Sequence, residues 1–302
     1  MRGGLEEVLN ARNIPFQKNV KTAALCTFRI GGTAALLLTP RCRGELIESI
    51  RLCRLRQIKC FPFGAGSNLL FDDGHLDTVL IRTTGLDAVR ILPSGISADC
   101  GVRLGVLAAK AAREGLSGLE FAAGIPGTLG GAIFMNAGAD GGEMANIVTE
   151  IDVYDPDADR CFTLAREDAA FAYRKSRFQQ ESFVILGARL ALLPDDSKNI
   201  FERTYQLLKK RREKQPTAPS AGSAFRRPAP DVALSRIFDE LGLKGLSVGG
   251  ALVSPKHAGF IVNNGSATAG DVCTLIKIIQ DITEKEKGFR PIPEIRLVKD
   301  ER

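Results

Sequence analysis

The sequence has no tryptophan, three tyrosines and two histidines, His75 and His257. Proteins that read single-stranded nucleic acid stack bases on exposed aromatic side chains. The sixteen phenylalanines here mostly sit in apolar contexts, so nucleic acid is not an expected partner. The seven cysteines never occur as Cys-x-x-Cys, and the nearest pair is Cys53 and Cys60. Zinc ligands cluster at short spacing, so no metal site is expected, and the cysteines read as free buried thiols. No apolar run reaches the ~18 residues that a membrane-spanning helix requires, so no membrane partner is expected. Residues 1–10 carry Glu6 and Glu7 and lack an apolar leader, which argues against a secretory signal and sets a cytoplasmic location as the expectation.

What is there is an ordinary globular chain. At 302 residues, with 44% hydrophobic and 25% charged residues, it is long enough for a sizeable core and about two domains. The net charge of +6, without the aromatics of a nucleic-acid binder, suits small anionic ligands.

Periodicity predicts a small α/β section first: strands at 34–39, 59–63 and 78–82 and a helix over 43–57, where Leu46, Ile50 and Cys53 share a face. A strand-rich section follows, with a hairpin of 88–92 and 95–99 through Pro93-Ser94-Gly95. It continues with a helix over 104–114 ended by Gly115, strands at 147–155 and 160–164, and one long strand at 182–193. The third section has helices at 198–214 and 234–241, strands at 249–253 and 259–263, and a long helix from Thr268 to Gly288. Thr268 and Asp271 have the spacing of a capping box. Pro216, Pro219, Pro228 and Pro230 punctuate the loop after residue 214. The pattern is α+β and divides as 1–80, 81–195 and 196–302.

Several segments carry candidate chemistry. Phe63-Gly64-Ala65-Gly66-Ser67-Asn68 follows a strand. Its glycines let the backbone turn and bring successive N–H groups to a phosphate, and a plain tight turn reads equally well. It is neither a Walker loop nor a full dinucleotide fingerprint, because Leu69 holds the third glycine position. Gly124-Ile125-Pro126-Gly127-Thr128-Leu129-Gly130-Gly131, running on to Asn136 and Gly138, is glycine-rich yet apolar. That suits backbone packed on a flat buried cofactor, or a close helix-packing site. Tyr173-Arg174-Lys175 reads as a charged surface, or as an arginine able to grip a carboxylate in bidentate fashion. Ser223 sits in a proline-fenced loop, as a plain loop serine or a proton donor. No Gly-x-Ser-x-Gly surrounds it, and only His257 offers a base for a hydrolytic triad. Glu294 follows two prolines, and His257 can simply cap a turn.

The order of these segments resembles the UDP-N-acetylenolpyruvoylglucosamine reductases, the flavoenzyme family that completes UDP-N-acetylmuramate for peptidoglycan. The resemblance rests on Thr27-Phe28-Arg29-Ile30-Gly31-Gly32, the 64–70 and 118–131 segments, Tyr173-Arg174, Ala221-Gly222-Ser223-Ala224-Phe225, Lys256 to Asn263, and Pro293-Glu294. It spans about residues 20–298. It implies two FAD-binding subdomains (1–80 and 81–195) of the vanillyl-alcohol-oxidase/PCMH type and a C-terminal α+β substrate domain (196–302). It implies FAD and NADPH as cofactors, small-molecule partners and a monomer. The sole tyrosine between Arg174 and Ser223 is Tyr205, so the chain resembles the shorter family type that lacks a substrate-binding tyrosine loop.

By resemblance, hydride passes from FAD N5 to C3 of the enolpyruvyl group. Arg174 supplies a fixed cation for the enolate that develops, Ser223 protonates C2, and Glu294 is a second polarising group that donates only if burial keeps it protonated. Cofactor contacts are implied at Arg29, Gly64, Ala65, Gly66, Ser67, Asn68, Gly124, Ile125, Pro126, Gly127, Thr128, Gly130 and Gly131. Substrate contacts are implied at Tyr173 and Lys214.

Overall fold

Two units make up the chain in the computed structural model, which describes residues 3–229 and 232–300. Pro230 of the proline-punctuated loop lies outside the described residues. The first unit consists of the chain up to Gln17, Leu36–Ala65 and Thr78–Arg211. The second consists of Lys18–Ala35, Gly66–Asp77 and the chain from Arg212 onward.

In the first unit, Cys60–Phe63 lies parallel to Val79–Arg82, which in turn pairs with Leu37 and Leu38. Val79, Leu80 and Ile81 have no exposed surface, as expected of a parallel strand covered on both faces. The helix Arg43–Leu55 buries Leu46, Ile50 and Cys53, the stripe its spacing predicts. From its first turn, Arg43 donates to Asp99 and Asp152, each at 2.7 Å. It thereby ties two strands of a five-stranded antiparallel sheet, whose order is Arg160–Ala165, Val148–Asp155, Val184–Ala191, Gly95–Asp99 and Val89–Leu92. The hairpin closes where expected, with Leu92 opposite Gly95. The helix Leu104–Arg113 stops before Gly115, whose φ of +67° a glycine adopts without strain.

Three features differ from the sequence expectation. The strand expected over 182–193 is interrupted: Val184–Ala191 ends, and Leu193–Pro194 pairs separately with Leu116–Ser117. The glycine-rich stretch is not all loop, since Leu129–Phe134 is a short helix with Thr128 as its N-cap. Gly130 lies against Cys100, where a Cβ would sit 2.8 Å from the Cys100 Cβ. A close-packing role therefore accounts for that glycine. The helix Gly3–Ala11 also has no counterpart among the expected elements, although Leu5 and Leu9 are fully buried.

The second unit centres on an antiparallel sheet in the order Ser220–Ser223, Phe260–Asn263, Ala251–Val253, Ser247–Val248. The helix Ala269–Lys287 begins with the expected capping box and ends at Gly288 in the left-handed region. Asp73 accepts the N–H groups of Ala269 and Gly270 at 2.7 and 3.0 Å, further orphan donors of that helix end. A last strand, Arg296–Val298, lies parallel to Leu69–Phe71. The architecture is α+β. Among the described residues, no helix is long and apolar enough to cross a membrane.

Candidate active site

Arg174 occupies a tight turn in the first unit. Ala172 and Lys175 exchange backbone hydrogen bonds across it, and Arg174 has a φ of +54°. That position favours glycine or asparagine. A bulky residue held there carries strain that its surroundings must over-determine. They do. Arg174 Nη2 donates to the Gly138 carbonyl at 2.7 Å and Nη1 to the Asn136 carbonyl at 3.3 Å. The guanidinium carbon also lies 5.1 Å from the Tyr173 ring centroid, and Gln179 donates to the Arg174 carbonyl at 3.0 Å. The cation is thus fixed to the far end of the glycine-rich stretch.

Asn136, which sequence reasoning did not single out as a site residue, is the piece that links them. It is fully buried and itself left-handed, with φ +40°. Its amide donates to the Ala172 carbonyl at 3.0 Å and accepts from the Ala145 N–H at 2.9 Å. Its place beside glycines, in an αL-tolerant residue type, was the available signal.

Gly64, at the start of the first glycine loop, and the 124–131 loop meet in the first unit. A Cβ on Gly64 would overlap Thr128 Oγ1, so only glycine lets the Phe63-Gly64 backbone approach the 124–131 loop this closely. Thr128 is buried and caps the helix containing Gly130 and Gly131. The buried Nε of Arg82, next to this strand end, has no hydrogen-bond partner. Bare backbone, a hydroxyl and an unpaired guanidinium N–H are the groups that a dinucleotide phosphate requires, so these residues fit FAD.

In the second unit, Ser223 and Glu294 belong to one assembly. Ser223 stands opposite Phe260, while Ser220 stands opposite Val262. Three steps on one strand against two on its partner make a β-bulge, and Gly222 supplies it with φ +81°. A regular strand puts residues three apart on opposite faces. The bulge instead lets Ala221 and Ala224 both be buried, at 3% and 1% exposure, and leaves Ser223 exposed. Re-aiming one side chain is what such bulges do. The expected serine loop is therefore the end of a strand.

Glu294 N–H donates to the Ala224 carbonyl at 2.9 Å, and the Glu294 carbonyl accepts from Asn68 Nδ2 at 3.1 Å. Asn68, Ser223 and Glu294 come from distant parts of the sequence and are adjacent here. Arg29, exposed and with φ +56°, is carried by a loop whose Phe28 and Arg29 carbonyls accept from Asn263 Nδ2. Lys214 is the exposed last residue of the helix Ser197–Lys214. His257 has a structural role: its Nδ1 accepts the Gly259 N–H at 3.1 Å, and burial lowers its pKa. Arg174 belongs to the first unit, whereas Ser223 and Glu294 belong to the second.

Comparison with known proteins decides what these residues are part of. Residues 214–298 match the family model described as UDP-N-acetylenolpyruvoylglucosamine reductase, C-terminal domain, and residues 34–161 match an FAD binding domain. A UDP-N-acetylenolpyruvoylglucosamine reductase from Syntrophomonas wolfei is 42% identical over 277 residues, covering 91% of this chain and 92% of the relative. The chain belongs to the UDP-N-acetylenolpyruvoylglucosamine reductase family. Another member, from Caldanaerobacter subterraneus, is 39% identical over 97% of this chain and 96% of its own. The crystal structure of the Thermus caldophilus member superposes with a TM-score of 0.81 at 32% identity, covering 95% of this chain and all of that one. Membership fixes the FAD-binding domain plus C-terminal domain organisation that the resemblance implied.

Proposed function

We propose that this chain reduces UDP-N-acetylglucosamine enolpyruvate to UDP-N-acetylmuramate, with FAD and NADPH, in peptidoglycan synthesis. The observation that carries the proposal is the match over nine-tenths of the chain to reductases named for that substrate, together with an exposed serine and a glutamate held in one backbone assembly. In the proposal, residues 1–80 and 81–195 bind the flavin and 196–302 the sugar nucleotide. Gly64, Ala65, Gly66, Ser67, Asn68, the Gly124–Gly131 loop and Arg29 hold FAD. Tyr173 and Lys214 contact the sugar nucleotide.

When bound, FAD supplies the hydride for C3 of the enolpyruvyl double bond, having taken it from NADPH. The chain's own residues handle charge and proton. Arg174, immobilised by two carbonyls, faces the negative charge that develops on the substrate carboxylate and C2. A cation fixed in advance stabilises that charge without reorganising. Ser223, held outward by the bulge, donates its hydroxyl proton to C2, and solvent restores it. Glu294 donates a hydrogen bond to the same enolate. The seven cysteines are free thiols, although Cys42, Cys161 and Cys273 are exposed where burial was expected, and unpaired thiols support a reducing cytoplasmic location. A monomer is proposed, to be read from its sedimentation mass.

The deciding experiment follows the flavin. Purified protein should be yellow and bleach with NADPH under anaerobic conditions. It should recolour on adding UDP-N-acetylglucosamine enolpyruvate. Bleaching without recolouring would favour a different flavin oxidoreductase. A colourless protein that takes up no FAD would overturn the cofactor assignment.

A further inference from the structure

Arg82 has no role in the hydride or proton transfer above, and its surroundings are those of an anion site. Its Nε is buried without a hydrogen-bond partner, and such a donor is costly to leave unpaired. Arg82 ends the strand Val79–Arg82 directly opposite Phe63, the residue before Gly64. The next residue, Thr83, donates its hydroxyl to the Phe63 carbonyl at 3.2 Å. The Thr83 carbonyl lies so close to Gly101 that a Cβ there would overlap it. Two residues beyond Gly101 stands Arg103, whose backbone bridges to Thr128. Two arginines therefore flank the place where Gly64 meets Thr128. Burial lowers the Arg82 pKa and the like charge of Arg103 lowers it further, with no carboxylate contributing. A bound anion would relieve both costs, and a guanidinium fork matches phosphate oxygens.

We propose that Arg82, with Arg103 beside it, holds a phosphate of FAD. The assignment rests on the reading that FAD occupies the two glycine loops. It adds to the family's backbone cradle a charged grip supplied by side chains.

The test titrates apoprotein with FAD and with riboflavin, which has the same ring system and no phosphate. Flavin fluorescence reports binding. Arg82→Gln should raise the FAD Kd on the order of 10- to 100-fold, the cost of one charge-assisted hydrogen bond. The riboflavin Kd should stay unchanged, and FAD affinity should fall less steeply with NaCl than in the wild type. Arg82→Lys should recover part of the loss, and the apoprotein melting temperature should not fall in Arg82→Gln. Equal weakening of FAD and riboflavin, or a lower apoprotein melting temperature with an unchanged salt dependence, would show a packing role and overturn the proposal. Unchanged FAD binding with a weakened NADPH Kd would assign the site to the NADPH 2′-phosphate instead and overturn it too. Failure of the wild type to bind FAD would sink the cofactor reading itself, which is a separate result.

Discussion

Arg174 and Asn136 are both non-glycine residues in the left-handed region, and the first donates a hydrogen bond to the carbonyl of the second at 3.3 Å. Each strained turn is held by the other's backbone: the Asn136 amide in turn donates to Ala172, two residues before Arg174. Asn136→Ala removes both side-chain bonds from a buried site. It should cost about 1–3 kcal/mol in urea unfolding, since the Ala172 carbonyl and the Ala145 N–H each lose a hydrogen bond to a buried amide. Asn136→Gly suits the backbone and still lacks the amide. It should remain folded, bleach normally with NADPH and recolour slowly with substrate, because Arg174 is no longer fixed. Normal recolouring in Asn136→Gly would remove Asn136 from its positioning role.

Gly64 and Thr128 predict a reciprocal pair. Gly64→Ala drives a methyl group into the Thr128 hydroxyl, and overpacking of this kind costs roughly 1–3 kcal/mol. Thr128→Ala loses the helix cap, worth about 1 kcal/mol. The double variant loses the hydroxyl and with it the clash, so its destabilisation should be less than the sum of the two. Denaturant midpoints of the four proteins check this, and strict additivity would contradict the contact.

Ser223→Ala should leave flavin bleaching by NADPH unchanged. It should slow recolouring by substrate about 10²–10⁴-fold, the usual contribution of a general acid. Stopped-flow absorbance separates the two half-reactions. An equal fall in both would show that Ser223 is not the specific proton donor.

Glu294 is a hydrogen-bond donor to the enolate in the proposal. Glu294→Gln keeps a neutral donor and Glu294→Ala has none, so recolouring by substrate should be slower in Glu294→Ala than in Glu294→Gln, with bleaching by NADPH unchanged in both. Stopped-flow absorbance checks this, and equal recolouring rates in the two variants would exclude the role.

Much of the fold was legible because its elements announce themselves locally. The stripe of Leu46, Ile50 and Cys53, the Thr268 and Asp271 box and the Pro93-Ser94 hairpin each depend on neighbours a few residues away. The glycine loops were legible as loops, and their meeting at Gly64 and Thr128 was not, because that contact joins segments 64 residues apart. Ser223 was misplaced in a loop for a related reason. Its strand has an alternating pattern only once the Gly222 bulge is counted, and a bulge is defined by the partner strand. Asn136 and Arg82 escaped because each works through backbone groups and burial, which residue type alone does not reveal.

The pairing of Leu69–Phe71 with Arg296–Val298, and of Asn68 with Glu294 across 226 positions, sets a clock on biosynthesis. At roughly 5–20 residues per second, the ribosome makes the early strand some 10–45 s before its partner exists. During that interval Leu69, Leu70 and Phe71, all buried in the finished protein, have an open hydrogen-bonding edge. A nascent chain stalled before codon 296 would display that edge, which makes the interval between the two strands the time when a chaperone has most to cover.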